Sequence, residues 1–296
     1  MDTVALVTWL VTGAGGMLGT DLLGVLGGRG VATTAVDRSD LDLLDAGAVA
    51  EAVAGHEVVV NCAAWTAVDE AEAHEAEAFA VNAVAPALLA RAARQHGARI
   101  VQLSTDYVLD GTARSPYAED AQPAPRSAYG RTKAAGEWAV RAEAPEQHLV
   151  LRTAWLYGAH GTCFPRTIAR LAIERAAAGE PLPVVADQVG QPTWTRDVAD
   201  LLVRLVETDA PAGTWHATSG GETTWFGFAR EVVAAAGLDP ALVTPTDSAA
   251  YRRAAPRPSY SVLGHARLTE LGIEPIGPWE QRWDAAASAV LGEQAE

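Results

Sequence analysis

Seven residues near the start of the chain, Gly13-Ala14-Gly15-Gly16-Met17-Leu18-Gly19, constrain its fold more than any other segment. They follow a short apolar run, Trp9-Leu10-Val11-Thr12, that reads as a strand. They open a stretch, 16–29, that reads as a helix. Glycines at 13, 16 and 19 fit a G-x-x-G-x-x-G turn. The first accepts a positive φ, the second lets the backbone approach a diphosphate, and the third lets helix and strand pack closely. The helix start then offers free N–H groups and a partial positive charge to an anion. In this context the motif predicts a dinucleotide site.

The same alternation continues. Short apolar runs at 31–36, 57–61, 99–104 and 149–154 read as strands. Alanine-rich stretches at 46–54, 70–95 and 128–143 read as helices between them. Such a series implies parallel βαβ units and, with right-handed crossovers, a Rossmann-type doubly wound α/β sheet over 1–158. Residues 1–8 read as a short leader. After 158 the pattern is broken by Pro165, Pro181, Pro183 and Pro192. Strands are expected at 182–186 and 214–218, helices at 164–178, 195–207 and 224–236, and loop over most of 239–264. This predicts a smaller C-terminal α+β substrate lobe, 159–296, with a segment near 187–220 returning to the first domain.

Composition narrows the function. The 296 residues carry 22 Lys+Arg against 37 Asp+Glu, a net charge of −15. That argues against nucleic-acid binding by general electrostatics and against docking on an anionic membrane. No run reaches the ~18 apolar residues of a membrane span. Two cysteines, Cys62 and Cys163, form no disulfide framework, so a reducing cytoplasm is the expected compartment.

Candidate site residues fall at the ends of the expected strands, where ligands bind in such sheets. Asp37, about 20 residues past the glycines, suits ribose hydroxyls and NAD; Arg38 beside it suits the 2′-phosphate of NADP. Asp42 and Leu43 follow, placed to pack on adenine. Cys62, Ala63 and Ala64 are small enough for a cofactor to lie against, ahead of Trp65 and Thr66. Cys62 reads as a buried filler, because no cation cluster adjoins it in sequence. Tyr129 and Lys133 stand four apart at the start of a helix and share a face. An ammonium beside a phenol stabilises the phenolate and tunes it for acid–base work. A hydroxyl to polarise a carbonyl comes from Ser104 or Thr105. Alternation lets only one of them face the cleft, and the pattern leaves both open.

These segments resemble the extended short-chain dehydrogenase/reductases, and among them the dTDP-4-dehydrorhamnose reductases. VTGAGGMLG, NCAAWTAVDEAE, LSTDYVLDG, PYAEDAQPAPRSAYGRTKAAGE, LRTAWLYG, DQVGQPT and RPSYSVLG stand in the family's order over nearly the whole chain. The resemblance implies Thr105, Tyr129 and Lys133 as the catalytic triad. It implies that Thr105, Asp106, Tyr107, Tyr129 and Trp155 meet a dTDP-sugar. It places a nicotinamide cofactor along Gly13, Gly16, Met17, Leu18, Gly19, Asp37, Asp42, Leu43, Ala64, Trp65 and Thr66. Members commonly use NADPH, some accept NADH, and some carry Mg²⁺ through glutamates at a homodimer contact. Glu293 and Glu296 match no metal motif, so no metal ligand is assigned. Trp65 is a departure, since a smaller or more polar ring is usual there.

The activity this implies is hydride transfer to C4 of a dTDP-4-keto-6-deoxyhexose, with Thr105 on the ketone, Tyr129 as proton donor and Lys133 supporting it. The rival readings are a 4-ketoreductase for another nucleotide deoxysugar, and a non-catalytic NADP-binding regulatory subunit of the methionine adenosyltransferase type. Trp9, Trp138, Trp215 and Trp279 read as packing, and His74, His96 and His160 as surface. Arg252, Arg253 and Arg257 offer cations to a substrate diphosphate.

Overall fold

Every residue of the run Val58–Asn61 is buried, which a strand achieves only in a sheet covered on both faces. The computed structural model, which describes residues 7–292, shows that sheet. Its first half alternates β1 (Thr8–Thr12), α1 (Met17–Gly28), β2 (Ala32–Val36), α2 (Ala46–Val53), β3 (Val58–Asn61), α3 (Glu75–Phe79), α4 (Ala85–His96), β4 (Arg99–Thr105), α5 (Ala128–Glu143) and β5 (His148–Thr153). The second half runs β6 (Leu156–Tyr157), α6 (Phe164–Ala178), β7 (Leu182–Val185), β8 (Val189–Gly190), β9 (Thr193–Trp194), α7 (Thr195–Glu207), β10 (Gly213–His216), β11 (Thr223–Thr224), α8 (Trp225–Ala235), β12 (Val243–Thr246), α9 (Ala266–Glu270) and α10 (Trp279–Leu291).

Six strands pair in parallel in the order β10-β5-β4-β3-β1-β2. The expected doubly wound α/β architecture is present. Strand alternation splits the core between the two faces. Trp9 and Val11 join Leu22, Leu26 and Leu202 under α1 and α7, while Leu10, Val59 and Ile100 join Leu89 and Val140 under α4 and α5. The order reverses at β1, between β2 and β3, and the crevice beyond the strand ends opens there. β10 comes from the second half of the chain and pairs with β5. A separate core, with Tyr157, Phe228, Trp279 and Trp283, holds the C-terminal lobe.

Several expectations need correction. The leader falls mostly outside the described residues, and β1 already begins at Thr8. The segment 239–264 is mostly loop, as expected, with one short strand, β12, that pairs with β7. The helix expected over 70–95 is a 3₁₀ turn at Glu70–Glu72, then α3, a π turn at Ala80–Val84, and α4 with Pro86 near its start. By length and composition the run Glu75–His96 passes for a membrane span, but it packs against α2 and α5 inside the domain. Trp138 is not a packing residue; it projects from α5 with 67% of its surface exposed. Trp9, Trp215 and Trp279 are buried as expected, and His74, His96 and His160 are exposed.

Two other histidines are enclosed near β10. His216 Nδ1 meets the Gly264 carbonyl at 2.8 Å, and His265 Nε2 meets Thr218 Oγ1 at 2.9 Å. Burial pushes His216 down to about 3 and His265 down to about 4. Both are neutral in the fold, whereas the unfolded chain takes up protons near pH 6.5. Their stabilisation is complete above about pH 6.5 and is lost as the pH falls toward those folded values. At pH 5 the loss is at most about 2 kcal/mol for each. Tm measured from pH 7 to 5 should therefore fall, and His265→Gln should flatten that fall. An unchanged slope in the variant would remove His265 from this account.

Candidate active site

The C-terminal ends of β1 to β5 and the loops of the C-terminal lobe enclose a cleft of about 2070 Å³. At its floor is the glycine turn. Gly13 has φ +66°, and a Cβ there would lie 2.6 Å from the Ala63 nitrogen. Gly16 caps α1 with no side-chain hydrogen bond, so the first N–H groups of the helix remain free at the cleft. Their chemistry fits a diphosphate.

The predicted cofactor residues Met17, Leu18, Asp37, Arg38, Asp42, Leu43, Ala63, Ala64, Trp65 and Thr66 all line this cleft. Asp37 is partly committed: both its carboxylate oxygens accept from the Gly15 N–H at 3.0 Å. Arg38 has no ion pair among the described residues and is exposed at the cleft edge. Cys62 is half-buried, and Lys133 stands near it, a cation the sequence order did not show. Burial still dominates and pushes its thiol up to about 12, so it remains a thiol.

The start of α5 is built to hold Tyr129. Ser127 Oγ accepts from the Gly130 N–H at 3.1 Å, and Glu72 Oε1 accepts from the Ala128 N–H at 2.8 Å. These caps satisfy two of the four open donors of a helix start. Gly130 allows the close approach: a Cβ there would overlap the Tyr107 carbonyl oxygen. The Tyr129 ring meets Tyr107 edge-on at 5.6 Å, and Lys133 Nζ donates to the Leu103 carbonyl at 2.7 Å.

The structure separates Ser104 from Thr105. Ser104 Oγ donates to Glu137 Oε1 at 2.7 Å, whereas the Thr105 hydroxyl interacts with the Tyr129 phenol and donates to Asp106 Oδ1 at 2.9 Å. Burial pushes Tyr129 above its ordinary value; Thr105 opposes this and the Asp106 charge adds to it. The expected lowering by Lys133 is not what this state shows. A fully protonated phenol is the form a proton donor requires. Burial also pushes Asp106 up to about 6 and Lys133 down to about 8.

Trp155 adopts φ +47°, a left-handed conformation that is an outlier for a bulky residue. It lays the indole on Trp225, with ring centroids 3.5 Å apart and planes 8° from parallel. Gly190 leaves room for it, since a Cβ there would lie 2.7 Å from Trp155 Nε1. Arg252, Arg253 and Arg257 line the same cleft, but Arg257 is paired with Asp69 at 2.8 Å and Arg253 approaches the same carboxylate at 4.0 Å. Sequence reading missed Trp225 and Asn82. Asn82 sits in the π turn, accepts from the Trp65 N–H at 2.9 Å and donates to the Trp65 carbonyl at 3.1 Å. It thereby pins the Ala63–Thr66 wall. Among the described residues no group of three or more His, Cys, Asp or Glu comes together for a metal. Glu293 and Glu296 lie outside those residues.

Residues 7–291 match the family model described as the RmlD substrate binding domain. The chain belongs to this family. Within the family it is 49% identical over 290 residues to a dTDP-4-dehydrorhamnose reductase of Streptomyces griseus, covering 96% of this chain and 94% of that one. It is also 49% identical over 288 residues to a probable dTDP-4,6-dihydroxy-2-methyloxan-3-one 4-ketoreductase of Streptomyces antibioticus, covering 96% and 95%. A crystal structure of the dTDP-4-dehydrorhamnose reductase of Bacillus anthracis in complex with NADP superposes with a TM-score of 0.89 at 33% identity, covering 94% of this chain and 98% of that one. The reductase branch expected from the motifs is thus the one the chain falls in.

Proposed function

We propose that the protein is an NADPH-dependent reductase of the C4 ketone of dTDP-4-dehydro-L-rhamnose, yielding dTDP-L-rhamnose, in the cytoplasm. One observation carries the reading: Thr105, Tyr129 and Lys133 line one cleft with the free start of α1, Tyr129 against the Thr105 hydroxyl and Lys133 on the Leu103 carbonyl of β4. The relatives' names supply the sugar. Arg38, free of ion pairs among the described residues and beside a committed Asp37, supports NADPH over NADH.

In this reading the α1 N–H groups of Met17 and Leu18 hold the cofactor diphosphate, and Lys133 the nicotinamide ribose. The bound nicotinamide supplies the hydride. Thr105 turns its hydroxyl from Asp106 to the ketone oxygen and orients it. Tyr129 gives its proton to the alkoxide oxygen as charge develops there. Trp155 and Trp225 form an aromatic wall, and Arg252 and Arg253 offer positive charge to the sugar-bound diphosphate.

A second reading keeps the chemistry and changes the sugar, because a relative from Streptomyces niveus, 48% identical over 273 residues, carries the name dTDP-4-keto-6-deoxy-D-glucose reductase. Incubation with dTDP-4-keto-L-rhamnose and with dTDP-4-keto-6-deoxy-D-glucose, each with NADPH or NADH, separates them. Absorbance at 340 nm should fall fastest with the first sugar and NADPH, and mass and NMR should identify dTDP-L-rhamnose. Faster turnover of the second sugar would select the other reductase. Cofactor binding with no turnover of either would favour a non-catalytic relative.

A further inference from the structure

Glu137 has no exposed surface and lies on α5 one turn beyond Lys133. Its carboxylate accepts four hydrogen bonds. Ser104 Oγ of β4 donates at 2.7 Å, Arg152 Nε and Nη2 of β5 at 2.9 Å each, and Arg141 Nη2 of α5 at 3.0 Å. Arg152 is itself 1% exposed. Burying an ion pair costs much of what the pairing returns, and apolar replacements are often as stable. Stability alone is therefore a weak reason for this cluster.

Its location supplies a better one. Three successive residues of β4 have distinct fates: Leu103 gives its carbonyl to Lys133, Ser104 its hydroxyl to Glu137, and Thr105 its hydroxyl to the cleft. The end of β4 is thus fastened to α5 at two consecutive residues directly before Thr105. We propose that Glu137 is a positioning residue for the reaction, holding the end of β4, and with it Thr105, against α5, and presenting its carboxylate one helical turn from the Lys133 ammonium.

The proposal rests on the reading that Lys133 acts with Tyr129. The titratable groups that bear on Lys133 are Glu137 from α5 and Cys62 from the segment after β3. Behind Glu137 stand Arg152 of β5 and Arg141 of α5, with His216 of β10 beside Arg152. Burial lowers Lys133 and Glu137 opposes it.

Lys133 is the only lysine in the chain, so protein labelled with ¹³C-lysine gives one lysine side-chain signal to titrate. In Glu137→Gln the midpoint should move to lower pH by about one unit or more. In Glu137→Asp, which keeps the charge, it should stay near the wild-type value. Arg141→Gln removes a cation from the exposed side of the carboxylate and should raise the midpoint by a few tenths of a unit. The alkaline limb of ketone reduction should follow each shift. A folded Glu137→Gln protein with an unmoved Lys133 overturns the proposal. If that variant does not fold, an Arg141→Gln midpoint equal to or below wild type overturns it instead. The titration needs no substrate, so failure to turn over the proposed sugar counts against the functional reading and leaves this test intact.

Discussion

Tyr129→Phe is expected to lower kcat for ketone reduction about 1000-fold, within the range that general acids contribute, while leaving the Kd for NADPH within about threefold of wild type. The substitution removes one oxygen and little else. The ring is 9% exposed, packs with Ala71 and Ala128, and meets Tyr107 edge-on. Phenylalanine keeps those contacts. Burial holds the phenol protonated at neutral pH, so wild type carries its proton before the hydride moves. Thr105 can still orient the ketone in the variant, but it cannot replace the acid, because its own proton then has no route of resupply from the phenol. Steady-state rates with fluorescence titration of cofactor separate the two effects. A kcat within tenfold of wild type would end the assignment of Tyr129 as the proton donor.

The parts of the site that were legible in sequence are those fixed by local geometry. The glycine turn depends on the allowed φ of a few residues and on one strand–helix junction. The Tyr129–Lys133 pair depends only on the 3.6-residue period of a helix. Helices Phe164–Ala178 and Thr195–Glu207 lie at the bounds expected between the proline breaks. What stayed hidden depends on partners far along the chain. Alternation showed that one of Ser104 and Thr105 must face the cleft, but Glu137 and Arg152, 33 and 48 positions beyond Ser104, decide which. The role of Asn82 needed the π turn that presents it to Trp65, 17 residues earlier. Trp138 looked like packing because a tryptophan usually is buried; only the packing of α5 shows it on the outer face. The aromatic wall required two lobes to meet, since Trp155 and Trp225 are joined by no local pattern.

Gly19→Ala is expected to weaken NADPH binding at least 100-fold and to destabilise the fold. Alanine is otherwise the better helix former by about 1 kcal/mol, so the sign of the effect depends on space. At Gly19 there is none. A Cβ would overlap the Gly13 carbonyl oxygen and lie 2.7 Å from the Ala14 oxygen and 2.8 Å from Ala14 Cα. All three atoms are backbone, and none can rotate away. Either α1 retreats from β1, carrying its free N–H groups out of the cleft, or the turn at Gly13 opens and loses its contact with Ala63. Both outcomes dismantle the diphosphate cradle, and the retreat also costs the packing of Leu18 and Leu22 against the sheet. Gly24 provides the control within the same helix, because a Cβ there meets nothing within 4 Å. Gly24→Ala should therefore raise Tm by a few degrees, following its helix propensity of about 0.5–1 kcal/mol, with NADPH affinity unchanged. Calorimetric Tm and cofactor titration on the two variants give opposite signs if close backbone approach is what position 19 requires. Matching behaviour at 19 and 24 would mean that the glycine turn holds its cofactor by some other feature than the tight seating of α1.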